Sequence, residues 1–431
     1  MGLENNAFVT SLSFQVHPLL KVKGSIKSQY FESLSYLITH INNEVPQYHA
    51  KMVEQYKEFL LDGNTTPTPD SEKALRAIVD CRFQPWRKKY RYMLLCDAAL
   101  ITQAESDIQK VGSLMKERLP SRQHAMVDKV IETLQNANCT DYTAFPYIES
   151  MSKQYHANQE FLKRPEHRIL VTANMSAGKS TLINALIGKQ IARTSMEACT
   201  GNVCYIYNKP FEDGRIHFIN EDGMELDAAA EQLTDFDWKL VPSIASYFKV
   251  PHPETTRLCI IDTPGVNSAL NQEHGSIAKA ALKNENYDAL VYVIKGTDLG
   301  TDAELSYLRW ISKNVPHEKI IFVLNRLDEF RASEDDIRES FNSVLADLTS
   351  AGFENPIVCP FSAYFAYLIQ LVDSGEELSE DERDEYKYLA KKFMRDSYDL
   401  SKYYNGMTAD DMRTRSGLSG LEKILYVGGK T

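Results

Sequence analysis

The sequence predicts an α/β domain, a mostly parallel sheet with helices on both faces, preceded by a helical region. Three observations carry this expectation. From Ile169 onward, short β-rich runs alternate with helical stretches, the pattern of strands joined by crossover helices. Within that part, an apolar run Ile169-Leu170-Val171-Thr172 leads through a loop into the helix-like run Leu182-Ile183-Asn184-Ala185-Leu186-Ile187. Upstream, from about residue 25 to 160, apolar residues recur every three to four positions, as on buried helix faces.

The helical region reads as follows. Leu34, Ile38, Ile41, Val45, Tyr48, Met52, Tyr56 and Phe59 form one stripe, interrupted at Pro46, which predicts a kink or two helices. Residues 62–70 are a loop, and Asp70 or Ser71 caps a helix carrying Leu75, Ile78 and Val79. Further stripes run through Leu100, Ala104, Ile108, Val111 and Leu114 or Met115, and through Met126, Val130, Ile131 and Leu134. The basic run Arg87-Lys88-Lys89-Tyr90-Arg91 reads as a solvated helix or loop edge. The stripes predict a bundle whose helices bury against each other, or alternatively a stalk or partner-docking surface. Strands are expected at 203–207, 216–219, 258–261, 289–294, 320–324 and 357–359. The acidic stretch Ser374 to Glu385 predicts an exposed loop or helix start. A turn over 416–420 precedes a last helix, 421–425. The expected domains are 1–160 and 166–427.

Composition narrows the function classes. The 431 residues carry a formal net charge of −11, which disfavours general binding to nucleic acid or anionic lipid. Seven scattered cysteines show no C-x-x-C pair, and ten histidines no H-x-x-x-H pair, so neither a disulfide frame nor a zinc site is expected. The start, Met1-Gly2-Leu3-Glu4-Asn5-Asn6, fits neither a signal peptide nor an acylation signal, and no run reaches the length of a membrane span. A cytoplasmic protein is expected.

The loop itself is Ala173-Asn174-Met175-Ser176-Ala177-Gly178-Lys179-Ser180, followed by Thr181. Between a strand and a helix, such a loop cradles anionic oxygens with backbone N–H groups. Lys179 would reach β- and γ-phosphates, and the Ser180 hydroxyl would face Mg²⁺. Downstream, Ile260-Ile261-Asp262-Thr263-Pro264-Gly265 delivers a carboxylate for a magnesium-bound water and a glycine N–H for the γ-phosphate. Leu324-Asn325-Arg326-Leu327-Asp328 then supplies an Asp that accepts from guanine N1–H and the 2-amine together; adenine has neither donor. Arg326 stands where a Lys usually covers the base plane. In Pro360-Phe361-Ser362-Ala363, the Ala363 N–H is expected to meet guanine O6. Thr200 is the candidate switch threonine over Mg²⁺, with Thr194 and Ser195 as rivals. The ligand is therefore GTP with Mg²⁺.

These motifs resemble the GTPase domain of the dynamin superfamily, in particular bacterial dynamin-like proteins, over roughly residues 166 to 427. Ser176 to Ser180 is similar to that family's phosphate loop, and Thr200 before Val203-Cys204-Tyr205-Ile206 to its switch threonine before a strand. The segment Ser416 to Glu422 is similar to the family's last domain helix. The resemblance implies Mg-dependent GTP hydrolysis with Lys179, Ser176, Thr200 and Gly265 at the reacting phosphate. It implies Ser180, Thr200 and Asp262 around the metal. It also implies GTP-dependent homodimerisation or pairing with a partner dynamin-like chain, peripheral to a membrane where one is used. The N-terminal helices would be a neck or stalk contribution. Little sequence follows the domain, so return helices or a lipid-binding tip would belong to a longer chain or a partner. Two positions lack a glutamine that could orient water: Met175 stands where dynamins usually place one just before the loop Ser, and Val266 where small GTPases place one just after the D-x-x-G glycine. The alternative expectation is a slow-turnover, GTP-dependent switch or scaffold docking a partner through the N-terminal helices. An RNA-directed assembly GTPase is disfavoured by the acidic balance.

Overall fold

A computed structural model describes residues 8–81, 84–173, 176–192, 202–220, 223–228, 243–249, 255–265, 272–296, 302–331 and 333–427. The chain divides into two compact units. The first takes the described residues up to Arg164 with Lys209–Ala228 and Ala245–Tyr247; the second takes the remainder.

The first unit is mostly helical. Its helices are α1 (Gly24–His40), α2 (Gln47–Leu61), α3 (Ser71–Leu75), α4 (Lys88–Thr102), α5 (Glu105–Glu117), α6 (His124–Gln135) and α7 (Glu149–Lys163). Pro46 ends the break between α1 and α2 and serves as the N-cap of α2, where its missing N–H costs nothing. The Asp70 carboxylate caps α3 through Lys73 N, and α3 continues into a π-helical turn, Arg76–Asp80. The stripe expected to run from Leu100 to Met115 is two helices. Gln103 takes a left-handed φ of 52° and turns the chain between α4 and α5.

Two side chains depart from expectation. Arg91, the last residue of the basic run, is fully buried rather than solvated. Its guanidinium donates to Val79 O (2.5 Å), Asp80 O (3.0 Å) and Gln123 Oε1 (2.8 Å), satisfying carbonyls at the end of the π-helical turn. Met126 is 40% exposed, and Val127 takes the buried position instead.

Polar clusters are buried in this unit too. Asp97 accepts from Tyr30 Oη (2.5 Å), Tyr56 Oη (2.8 Å) and His17 Nε2 (3.2 Å). The antiparallel hairpin β3 (Ile216–Asn220) with β4 (Gly223–Ala228) also belongs to this unit, although the sequence grouped it with the downstream domain. Its attachment is polar. Leu12 N donates to Asp213 Oδ2 (2.9 Å), and His217 Nδ1–H donates to Phe8 O (2.7 Å). The buried Lys209 ammonium donates to both Asp213 oxygens (2.8 and 2.6 Å) and to His217 Nε2 (3.2 Å).

The second unit is the α/β domain. Its sheet runs β2 (Cys204–Asn208), β6 (Arg257–Asp262), β1 (Glu166–Ala173), β7 (Ala289–Lys295), β8 (Ile320–Asn325), β9 (Ile357–Pro360). All neighbours in that order are parallel except β2, which is antiparallel to β6. The central strands are buried along their length, as the near-continuous apolar runs of a covered parallel sheet require. The helices are α8 (Lys179–Ile187), α9 (Gln272–Asn284), α10 (Asp302–Asn314), α11 (Ile337–Ser350), α12 (Ala363–Asp373), α13 (Glu380–Phe393), α14 (Met412–Arg415) and α15 (Leu418–Val427). Strands β4 and β5 (Ser243–Ser246) were not expected from the sequence. The acidic stretch is a helix start: a Ser379/Glu382 capping box opens α13. The last helix begins at Leu418, inside the expected turn. Gly417 (φ 85°) and Gly420 permit this, because a Cβ at Gly417 would lie 2.5 Å from Pro360 O and one at Gly420 2.3 Å from the Tyr404 ring.

Candidate functional site

The site lies at the C-terminal ends of β1, β6, β8 and β9, where a parallel sheet directs helix N-termini toward ligands. Ser176 and Gly178 both take left-handed conformations, with φ 64° and 89°. Gly178 caps α8, and the first helical bond is Leu182 N–H to Gly178 O (2.9 Å). The N–H groups of Lys179, Ser180 and Thr181 therefore precede the helical ladder, at its positive end. Any side chain at Gly178 would collide: a Cβ there would sit 2.4 Å from Asn325 Nδ2.

Asp262 ends β6, in register with Val171 of β1 and Cys204 of β2. It is 3% exposed, and the Lys179 ammonium donates to its Oδ1. Burial pushes the Asp262 carboxyl above its ordinary range, against the opposing pull of Lys179. Beyond it, the Thr263 hydroxyl donates to Val171 O (2.9 Å), fixing where the chain leaves the sheet toward Gly265.

Asn325 ends β8 and is buried. Its Nδ2 donates to Ala177 O and its Oδ1 accepts from Ala363 N–H, both at 2.9 Å. One amide thus ties the phosphate loop to the loop after β9. The Ala363 N–H, expected to face guanine O6, is spent on this bond. The neighbouring Tyr364 N–H also precedes the helical ladder of α12. Asp328 accepts from Ser362 Oγ (2.6 Å); burial raises its carboxyl pKa, and the Ser362 bond opposes that. Arg326 is left-handed (φ 65°), and its Nη1 donates to Glu329 Oε1 (2.6 Å). Its Nε comes within 3.8 Å of the position a Gly178 Cβ would take.

Among the sequence-expected residues, Ser176, Ala177, Gly178, Lys179, Asp262, Asn325, Arg326, Asp328, Ser362 and Ala363 are linked by these bonds, close approaches or chain adjacency. Ser180 and Thr181 follow in the first turn of α8. Asn174, Met175, Thr200 with its rivals Thr194 and Ser195, and Val266 lie outside the described residues. Two contributors escaped the sequence reading: Thr263, and Asn184. The Asn184 Oδ1 accepts from Ile191 N (2.9 Å) and Ala192 N (2.7 Å), and its Nδ2 donates to Ala192 O (2.8 Å). Both look like ordinary turn and helix residues in the sequence.

The donors expected from the sequence, Ser180, Thr200 and Asp262, are all oxygen, which would suit a hard cation such as Mg²⁺. No described helix is long and apolar enough to cross a membrane.

Residues 169–327 match the profile of the Dynamin family. Over 241 residues the chain is 27% identical to an uncharacterized protein from the xynA 3' region of Caldicellulosiruptor sp., covering 54% of this chain and 57% of that protein. Over 223 residues it is 26% identical to the bacterial dynamin-like protein of Nostoc punctiforme, covering 45% of this chain and 31% of that one. The chain therefore spans little more than half the length of the first and under a third of the second. A chain from the solved structure of an oligomerised bacterial dynamin pair aligns at 13% identity and a TM-score of 0.40, covering 99% of this chain and 72% of that one.

Proposed function

We propose that this chain, a member of the dynamin superfamily, binds GTP with Mg²⁺ and hydrolyses it. The observation that carries the reading is the Asn325 amide, which links the phosphate loop at Ala177 to Ala363, next to the Ser362 that holds Asp328. One buried side chain thereby connects the segment proposed to bind phosphate with the segment proposed to read the base, which supports a single ligand served by both.

In this reading Lys179 exchanges its Asp262 partner for β- and γ-phosphate oxygens, where it offsets charge developing in the transition state. The N–H groups at the start of α8 bind phosphate oxygens. Ser180 and Thr200 would hold Mg²⁺ directly and Asp262 through water; the ion, when bound, neutralises phosphate charge. Gly265 offers its N–H to the γ-phosphate, and Asn174, Met175 and Ser176 line the loop. Asp328 reads guanine N1–H and the 2-amine, and Tyr364 N–H is the candidate donor to O6. Asn325 positions both halves of the site rather than reading the base, because its amide atoms are already engaged. GTP-loaded chains pair with each other or with a related chain and so supply a water-orienting group that Met175 and Val266 lack.

Those same two side chains favour a second reading, a slow switch in which GTP changes partner affinity. A single-turnover GTP assay at several protein concentrations separates the two. Hydrolysis that accelerates with concentration supports an assembly-stimulated GTPase; a slow, concentration-independent rate supports the switch.

A further inference from the structure

We infer that Lys392 is a positioning residue for guanine specificity, acting through the backbone that carries Asp328. The inference rests on the proposal that Asp328 reads the base.

Lys392 lies on α13, far along the chain from the Asn325–Asp328 loop, and is only 7% exposed. Its ammonium donates to Asp328 O and to Phe330 O, each at 2.6 Å. Tyr398 Oη donates to the same Phe330 carbonyl at 3.0 Å, and the ammonium stands 4.7 Å from the Tyr398 ring centroid. Two donors from beyond α12 therefore converge on the turn that follows the base-reading carboxylate.

The choice of residue carries information. Burying an ammonium costs several kcal/mol unless it is hydrogen-bonded, and Met or Leu would fill the volume at lower cost. What Lys supplies here is one charged donor that spans two carbonyls, Asp328 O and Phe330 O, the second of them shared with the Tyr398 hydroxyl. Ser362 restrains only one carboxylate oxygen of Asp328. The backbone restraint by Lys392 fixes the other coordinate: how far the carboxylate reaches toward the 2-amine. Inosine lacks that amine, so the ratio of GTP to ITP affinity reports on carboxylate placement rather than on folding.

The test uses the full chain, with equilibrium binding of GTP and ITP in Mg²⁺ to wild type, Lys392→Met, Tyr398→Phe and Asp328→Asn. Loss of one charge-assisted hydrogen bond corresponds to about tenfold in affinity. Lys392→Met is expected to weaken GTP about tenfold and ITP about twofold or less, lowering the ratio about fivefold. Tyr398→Phe, a milder change to the same carbonyl, lowers the ratio in the same direction by about twofold. In the Asp328→Asn background, Lys392→Met leaves the ratio unchanged. Equal losses for GTP and ITP, or an unchanged ratio in a folded Lys392→Met, would overturn the inference. If Lys392→Met does not fold, an unchanged ratio in Tyr398→Phe overturns it instead. A wild type that does not prefer GTP to ITP sinks base reading by Asp328 and this inference with it; a wild type that does, with unaffected variants, sinks the inference alone.

Discussion

Residues at three positions carry the proposed chemistry. Lys179 faces a buried carboxylate at the end of β6, and in the proposed function its ammonium leaves that carboxylate for phosphate oxygens. Lys179→Ala removes about two charge-assisted hydrogen bonds, so GTP affinity should fall about 100-fold, measured by equilibrium binding. Gly178→Ala combines a left-handed backbone with a Cβ 2.4 Å from Asn325 Nδ2. It should weaken GTP at least about tenfold, because relief of the clash must move either the loop or the Asn325 bridge. Asp328→Asn replaces an acceptor pair with one acceptor and one donor, so guanine should lose affinity and xanthine gain it. An unchanged base preference would remove Asp328 from its role.

Elements were legible in the sequence where one physical signal dominated. The strand–loop–helix passage into α8 and the buried strands β1, β6, β7 and β8 combine long apolar runs with turn residues at their ends. The split of α4 from α5 was hidden because the apolar spacing continues across Gln103, whose left-handed φ of 52° no local residue type announces. Arg91 was hidden for a different reason: a run of basic residues reads as solvated, yet its last member is buried by carbonyls more than ten positions earlier. Arg91→Met would leave those carbonyls unsatisfied and should destabilise the helical unit by about 3 kcal/mol, read from a denaturant midpoint. The hairpin β3–β4 predicts a pH dependence. Burial, reinforced by Lys209, holds His217 well below its ordinary pKa, and the neutral ring accepts from Lys209 while donating to Phe8 O. The unfolded chain protonates His217 below about pH 6.5 while the folded chain does not. Stability from this group is therefore present above that pH and falls by about 1.4 kcal/mol per unit on acidification. His217→Gln should flatten the decline of the denaturant midpoint between pH 7 and 5.5.

At the scale of the whole molecule, the helical unit is not a simple N-terminal appendage. The excursion from Lys209 to Ala228 leaves the α/β domain directly after β2, the strand that follows the candidate switch loop, and joins the helical unit. No local pattern marks that excursion, since Asp213 and His217, held together by Lys209, bond to Leu12 and Phe8 about 200 positions away. A ligand that binds only the folded chain raises its stability by mass action. GTP at 100 times its Kd should therefore stabilise the chain by about 2.7 kcal/mol, seen as a higher Tm with Mg²⁺. The most direct test of the central claim is calorimetric titration of the full chain with GTP and with ATP in Mg²⁺. A single guanine-nucleotide site with ATP at least about 100-fold weaker is the predicted result; equal affinities, or no heat with GTP, would contradict it.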